Sequence, residues 1–163
     1  MNKRKLLYLN LSTNEKDISL GFSNSWLSKF ADEFESVDLI SLNKSSNNQT
    51  EFKNVNIFGI SESENLSKIY KYLKLKNLVK DLTQKNEYAI CFSHMSPLLS
   101  IIANWYNKNK NTISILWYTH PMPKEPIKKF VLYMSLFFNN QIVTASESSF
   151  PYFSKKVNVI GHA

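Results

Sequence analysis

Glycine is scarce: Gly21, Gly59 and Gly161 are the three in 163 residues. That number excludes the Gly-x-Gly-x-x-Gly dinucleotide fingerprint, and the phosphate-gripping loop ending in Gly-Lys-Ser/Thr is missing too. Cysteine occurs once, at Cys91, which rules out an internal disulfide and suits a reducing compartment. Within YAICFSH that thiol reads as a small buried hydrophobe rather than a reactive group. Of the 20 basic residues, only Arg4 is an arginine. Bidentate reading of base edges leans on arginine, and the lysines are scattered. Nucleic acid is therefore not an expected partner, although the net charge is +7 and the pI about 9.4. The charge favours a phosphate-rich or membrane-surface setting. Long apolar runs are lacking as well. FVLYMSLFF, Phe130 to Phe138, has about half the length a bilayer crossing requires. The opening MNKRKLLYLNLS has neither the apolar stretch nor the cleavage site of a signal peptide. The expectation is a soluble, cytoplasmic chain, with peripheral contact at the inner face of a membrane as its closest approach to lipid.

What is present is a regular alternation. With 43% hydrophobic and 13% aromatic residues, the chain can build one core, and residues 1–163 read as a single domain. Seven short, continuously apolar runs predict strands: Lys5–Leu11, Val37–Leu42, Val55–Ile60, Tyr88–Ser93, Thr112–Tyr118, Gln141–Ser146 and Val157–Gly161. Between them lie helical patterns. FSNSWLSKFADEF sets Phe22, Trp26, Leu27, Phe30 and Phe34 on one face. Leu66–Thr83 is amphipathic, with Leu66, Ile69, Tyr70, Leu73, Leu78, Val79 and Leu82 expected inside and Lys68, Lys71, Lys74 and Lys80 in water. SPLLSIIANWYN opens with Ser96 as N-cap and Pro97 at the first helical position. EPIKKFVLYMSLFF is apolar on most sides beyond its first turn. Apolar strands alternating with helices predict an α/β fold: a Rossmann-like, doubly wound, mainly parallel sheet with helices on both faces.

All three histidines follow strands: His94 after YAICFS, His120 after TISILWYT and His162 after VNVIG. One histidine so placed commonly bonds a backbone carbonyl and does nothing more. In a parallel sheet, however, all three ends share one edge, where ligands bind. Their spacing lacks the close His/Cys/Asp pair that metal sites favour, so no metal is expected. There is no Gly-x-Ser-x-Gly elbow and no Cys–His pair with an orienting acid nearby. What remains is a binding edge formed by Gly21 in the first strand-to-helix loop, the three histidines, and the Ser146/Glu147 turn. Gly21 either lets a ligand approach the backbone or simply permits a turn.

These residues bear a family resemblance. LGFSNSWLSKFADEFESVDLISL, CFSHMSPLLSIIA, ISILWYTHP and IVTASESSFPYFSKKVNVIGHA together resemble the N-terminal, acceptor-side half of a glycosyltransferase of family four (group 1), an enzyme of the GT-B fold. The resemblance implies a metal-independent, retaining transfer of a sugar from a nucleotide-sugar to an acceptor hydroxyl, with no cofactor. The acceptor would be a glycan or a lipid-linked glycan, as in cell-envelope or polysaccharide synthesis. It also implies that His120 contacts the donor sugar as the catalytic residue, and that the backbone near Gly21 and Phe22 approaches the phosphates. His94 would line the acceptor side, and Ser146 and His162 would complete the substrate edge. The family's donor half, with its spaced pair of glutamates, has no counterpart here, so a C-terminal domain or partner chain is expected and the chain on its own should be inactive. The alternative is a non-catalytic Rossmann-like module that binds a ligand at the same edge.

Overall fold

The computed structural model describes residues 4–12, 23–44, 52–61, 66–107, 109 and 111–161. The strands are β1 (Lys5–Ser12), β2 (Ser36–Lys44), β3 (Val55–Ser61), β4 (Ile90–His94), β5 (Ile113–Trp117), β6 (Gln141–Thr144) and β7 (Val157–Val159). The helices are α1 (Ser23–Glu33), α2 (Lys68–Lys85), α3 (Pro97–Tyr106) and α4 (Pro126–Phe138). The strands form one sheet in the order β3-β2-β1-β4-β5-β6-β7, and every neighbouring pair is parallel. The expected doubly wound fold is the one observed.

Continuous apolar strands arise because both faces of the sheet are covered. In β1, Leu7 and Leu9 join Leu75 and Val79 of α2 and Leu99 and Ala103 of α3 in one buried cluster. Their neighbours Leu6 and Tyr8 point the other way, to Leu27 and Phe30 of α1. Alternate side chains therefore serve opposite faces, and neither set can be polar. A third cluster, with Leu116, Ile142 and Phe150, lies under Leu132 of α4. Cys91 is buried in the first cluster, and burial pushes its thiol up to about 12. It is inert packing, as its sequence context suggested.

The face assigned to α2 needs correcting. Leu75, Val79 and Thr83 are buried, whereas Leu66, Ile69, Tyr70 and Leu73 are exposed. Leu78, Val79 and Leu82 do face the core as expected, joined by Leu75; Ile69, Tyr70 and Leu73 form a second apolar stripe on nearly the opposite side of the helix. Ser96 does occupy the N-cap of α3, with Pro97 in the first turn, but its side chain makes no capping hydrogen bond. Its carbonyl instead accepts from the Ser93 hydroxyl at 2.9 Å.

Candidate functional site

The strand order reverses direction at β1. The chain runs outward from β1 through β2 to β3, then crosses back to lay β4 on the other side of β1. Connections leave such a reversal in opposite directions, opening a crevice between the carboxyl ends of the two central strands. Here those ends carry Asn10 in β1 and His94 in β4.

Both residues are buried, Asn10 at 1% and His94 at 0% exposure, and they bond directly: His94 Nδ1 lies 3.0 Å from Asn10 Oδ1. The same Asn10 oxygen accepts the Leu11 backbone N–H at 2.9 Å. An N–H can only donate, so the atom it meets must be the amide oxygen. His94 Nδ1 must then carry the proton, which makes Nε2 the lone-pair nitrogen. Burial lowers the imidazole pKa from 6.5 to about 4, with the charge of His120 acting in the same direction. His94 is a neutral, oriented ring at neutral pH.

The walls come from three neighbours. Trp26 of α1 meets the His94 ring edge-on with centroids 5.2 Å apart, and meets Trp117 at the same distance. Met95, immediately after His94, has φ 58°. That left-handed conformation costs a side-chain-bearing residue about 1–2 kcal/mol and marks a backbone held by its surroundings. Part of the hold is visible: the Met95 N–H donates to the Trp117 carbonyl at 2.8 Å, and its sulfur lies 3.4 Å from both the backbone nitrogen and the hydroxyl of Thr119.

His120 follows β5 on the same edge and is exposed, its ring 6.0 Å from that of Tyr118. The residue before it is tied from both sides, by Met95 and by the Ser149 hydroxyl, which donates to the Thr119 carbonyl at 3.1 Å. Ser146 follows β6 on this edge. Its hydroxyl lies 3.0 Å from those of both Ser148 and Ser149, so it braces the turn that holds Thr119. The structure thus brings His94, His120 and Ser146 to one edge, linked through Met95, Thr119 and Ser149. Gly21, Phe22 and His162 lie outside the described residues. Among the described residues, no three His, Cys, Asp or Glu side chains group as a metal site would require.

Asn10, Met95 and Trp26 were not singled out by chemistry in the sequence. Asn10 did leave a signal, being the one polar side chain between Leu6 and Leu11 in a strand whose apolar residues fill both faces. Met95 left none, because nothing in a methionine announces a positive φ.

The fold is shared with HepE (Alr3699) of Anabaena. Its crystal structure, in complex with UDP, matches with a TM-score of 0.58 at 11% identity, over 96% of this chain and 43% of that one. This chain therefore spans less than half the length of that protein. No family profile matches the sequence, and no curated protein does so. What is shown is the architecture, a Rossmann-like parallel sheet of the kind found in a protein crystallised with a nucleoside diphosphate.

Proposed function

We propose that the chain is the acceptor-side half of a glycosyltransferase of the GT-B type, which moves a sugar from a nucleotide-sugar to a glycan or lipid-linked acceptor hydroxyl. The observation that carries this reading is the Asn10–His94 pair at the β1–β4 reversal, with His120 on the same edge. The order of motifs along the chain and the UDP found in a protein of like fold point the same way.

The chemistry asked of this half is modest. In a retaining transfer without metal, the protein positions two reactants and stabilises the departing diphosphate. A neutral, fully buried His94 with its proton fixed on Nδ1 would hold the floor of the acceptor side in one orientation. His120, exposed and anchored through Thr119, would contact the donor sugar. Gly21 and Phe22 would let the first loop approach phosphate, and Ser146 and His162 would extend the edge towards the acceptor. A second α/β half, on the same polypeptide or on a partner chain, would supply the remaining nucleotide contacts, and this half would be inactive without it. The pathway is one that builds envelope or polysaccharide glycans, and the setting is cytoplasmic.

The test is transfer of labelled sugar from a set of nucleotide-sugars by the chain joined to its second half. Replacing His120 with alanine should lower turnover roughly a hundredfold or more, the usual effect of losing one group that meets the transition state, with folding unchanged. Unaltered turnover would remove His120 from the site. Saturable glycan binding with no transfer by the joined protein would favour the non-catalytic module instead.

A further inference from the structure

Between the end of β5 at Trp117 and the exposed His120, the hydrogen bonding of the sheet gives way to side chains. The Tyr118 N–H still donates to the Val143 carbonyl of β6 at 2.9 Å. At Thr119 the partners change. Its backbone nitrogen and its hydroxyl each lie 3.4 Å from the Met95 sulfur, and its carbonyl accepts the Ser149 hydroxyl at 3.1 Å. Met95 belongs to the turn after β4 and Ser149 to the turn after β6, the two strands that flank β5. Thr119 is gripped from both neighbours of its own strand.

A thioether is a weak acceptor, so one such bond would hold little. Here two converge on one sulfur, carried by a side chain that is buried. The backbone of Met95 adds a second observation. Its φ of 58° is a conformation that glycine or asparagine adopts more readily. An outlier of this kind points to a demand beyond the turn itself. What methionine brings to this position, and glycine would lack, is the sulfur that meets Thr119.

The opposite grip is fixed in its turn. Ser149 is buried, its N–H donates to the Ser146 carbonyl at 3.2 Å, and the Thr144 hydroxyl donates to that same carbonyl at 3.2 Å. Phe150, next in the chain, packs edge-on against Tyr118 with centroids 6.3 Å apart. Beyond the grip, Pro121 follows His120, and a proline confines the residue before it to extended backbone. His120 is thus exposed, yet its backbone is restrained in front by Thr119 and behind by Pro121. Without such supports an exposed side chain samples many directions.

We propose that Met95 and Ser149 are positioning residues: gripping Thr119 from the turns after β4 and β6, they set the direction in which His120 presents its ring to the donor sugar. The sugar contact rests on the function proposed above, whereas the grip is independent of it. Neither residue needs to touch a reactant. Orientation of this sort acts on the chemical step and leaves ground-state binding of the acceptor alone.

The experiment measures His120 itself in this chain, and turnover in the chain joined to its second half. Nuclear relaxation of the His120 amide should give an order parameter of roughly 0.85 in the wild type and below about 0.6 when Met95→Leu is combined with Ser149→Ala. Thr119→Val keeps the side-chain shape without the hydroxyl, so it tests the sulfur contact if the double variant fails to fold. Thr119→Ser, which retains the hydroxyl, should recover the ordered amide. In the joined protein Met95→Leu and Ser149→Ala should each lower kcat about tenfold, and together about a hundredfold, with the acceptor KM unchanged. A His120 amide that is mobile in the wild type, or equally ordered in every variant, would overturn the proposal. So would a loosened His120 with unchanged kcat, or a loss confined to KM. Absence of transfer by the joined wild type would sink the sugar reading alone, and the grip would then stand or fall on the relaxation data.

Discussion

The buried polar bonds that tie strand segments together at the two edges of the sheet differ in kind. At the edge where the strands begin, the Tyr88 hydroxyl donates to Asp38 Oδ2 at 2.6 Å and the Asn56 amide donates to Oδ1 at 2.8 Å. Both carboxylate oxygens are engaged, and burial together with the neighbouring carboxylate pushes the Tyr88 hydroxyl well above its ordinary pKa. The loops there are stitched shut, with Thr112 bonding the Tyr88 carbonyl at 2.6 Å and Lys5 reaching Asn86 at 3.2 Å. At the edge where the strands end, a neutral amide holds a neutral imidazole, and only one of the two ring nitrogens is used for that. The first network is an anchor: it meets its own needs. The second fixes the tautomer and direction of a ring, which is what a site asks of a histidine.

If that distinction holds, substitutions at the two edges should fail differently. The largest effect belongs to the anchor. Asp38→Ala leaves the Tyr88 hydroxyl and the Asn56 amide without their acceptor and should cost about 3–4 kcal/mol in denaturant unfolding, with no change in the titration of His94. A stability loss under 1 kcal/mol would show that the network is dispensable.

Acid should act at the other edge. The folded pKa of His94, about 4, lies below the ordinary 6.5, so between those values the unfolded chain binds a proton that the folded one refuses. Stability is then fully present above pH 6.5 and declines as pH falls toward 4, by on the order of 3 kcal/mol from this group. Carboxylates also titrate in that window, so the informative quantity is the difference between wild type and His94→Gln measured across it. Parallel profiles for the two proteins would contradict the buried neutral ring.

A smaller loss is expected from Asn10→Ala, about 2 kcal/mol from stranding the His94 Nδ1–H. Unlike the change at Asp38, it should also release the tautomer. Matching losses at the two edges with no change in the His94 ring would dissolve the contrast between them.

Much of the fold was legible because the pattern is redundant. Seven apolar runs, helices between them and strands without polar alternation have few architectures other than a covered parallel sheet, and all seven strands fell where expected to within a few residues. The expected α2 face holds for Leu78, Val79 and Leu82 and fails for Ile69, Tyr70 and Leu73, because this helix is apolar on two sides and periodicity does not choose between them. Only the packing of Leu75 and Val79 chooses between them, and the rejected stripe turned out to be surface. FVLYMSLFF was ambiguous for a related reason: a run apolar on all sides announces burial, and here one side is buried and the other exposed. At the site, strand ends were readable and so were their histidines. The bond that organises them was not, since it joins residues 84 positions apart and depends on β4 returning to lie beside β1.

The most direct measurement is the nitrogen NMR titration of His94 in the intact chain. A built site at the β1–β4 reversal requires a ring protonated on Nδ1 alone through neutral pH, taking up its second proton only near pH 4. A ring protonated on Nε2, or one that titrates near 6.5 like a solvent-exposed histidine, would contradict it.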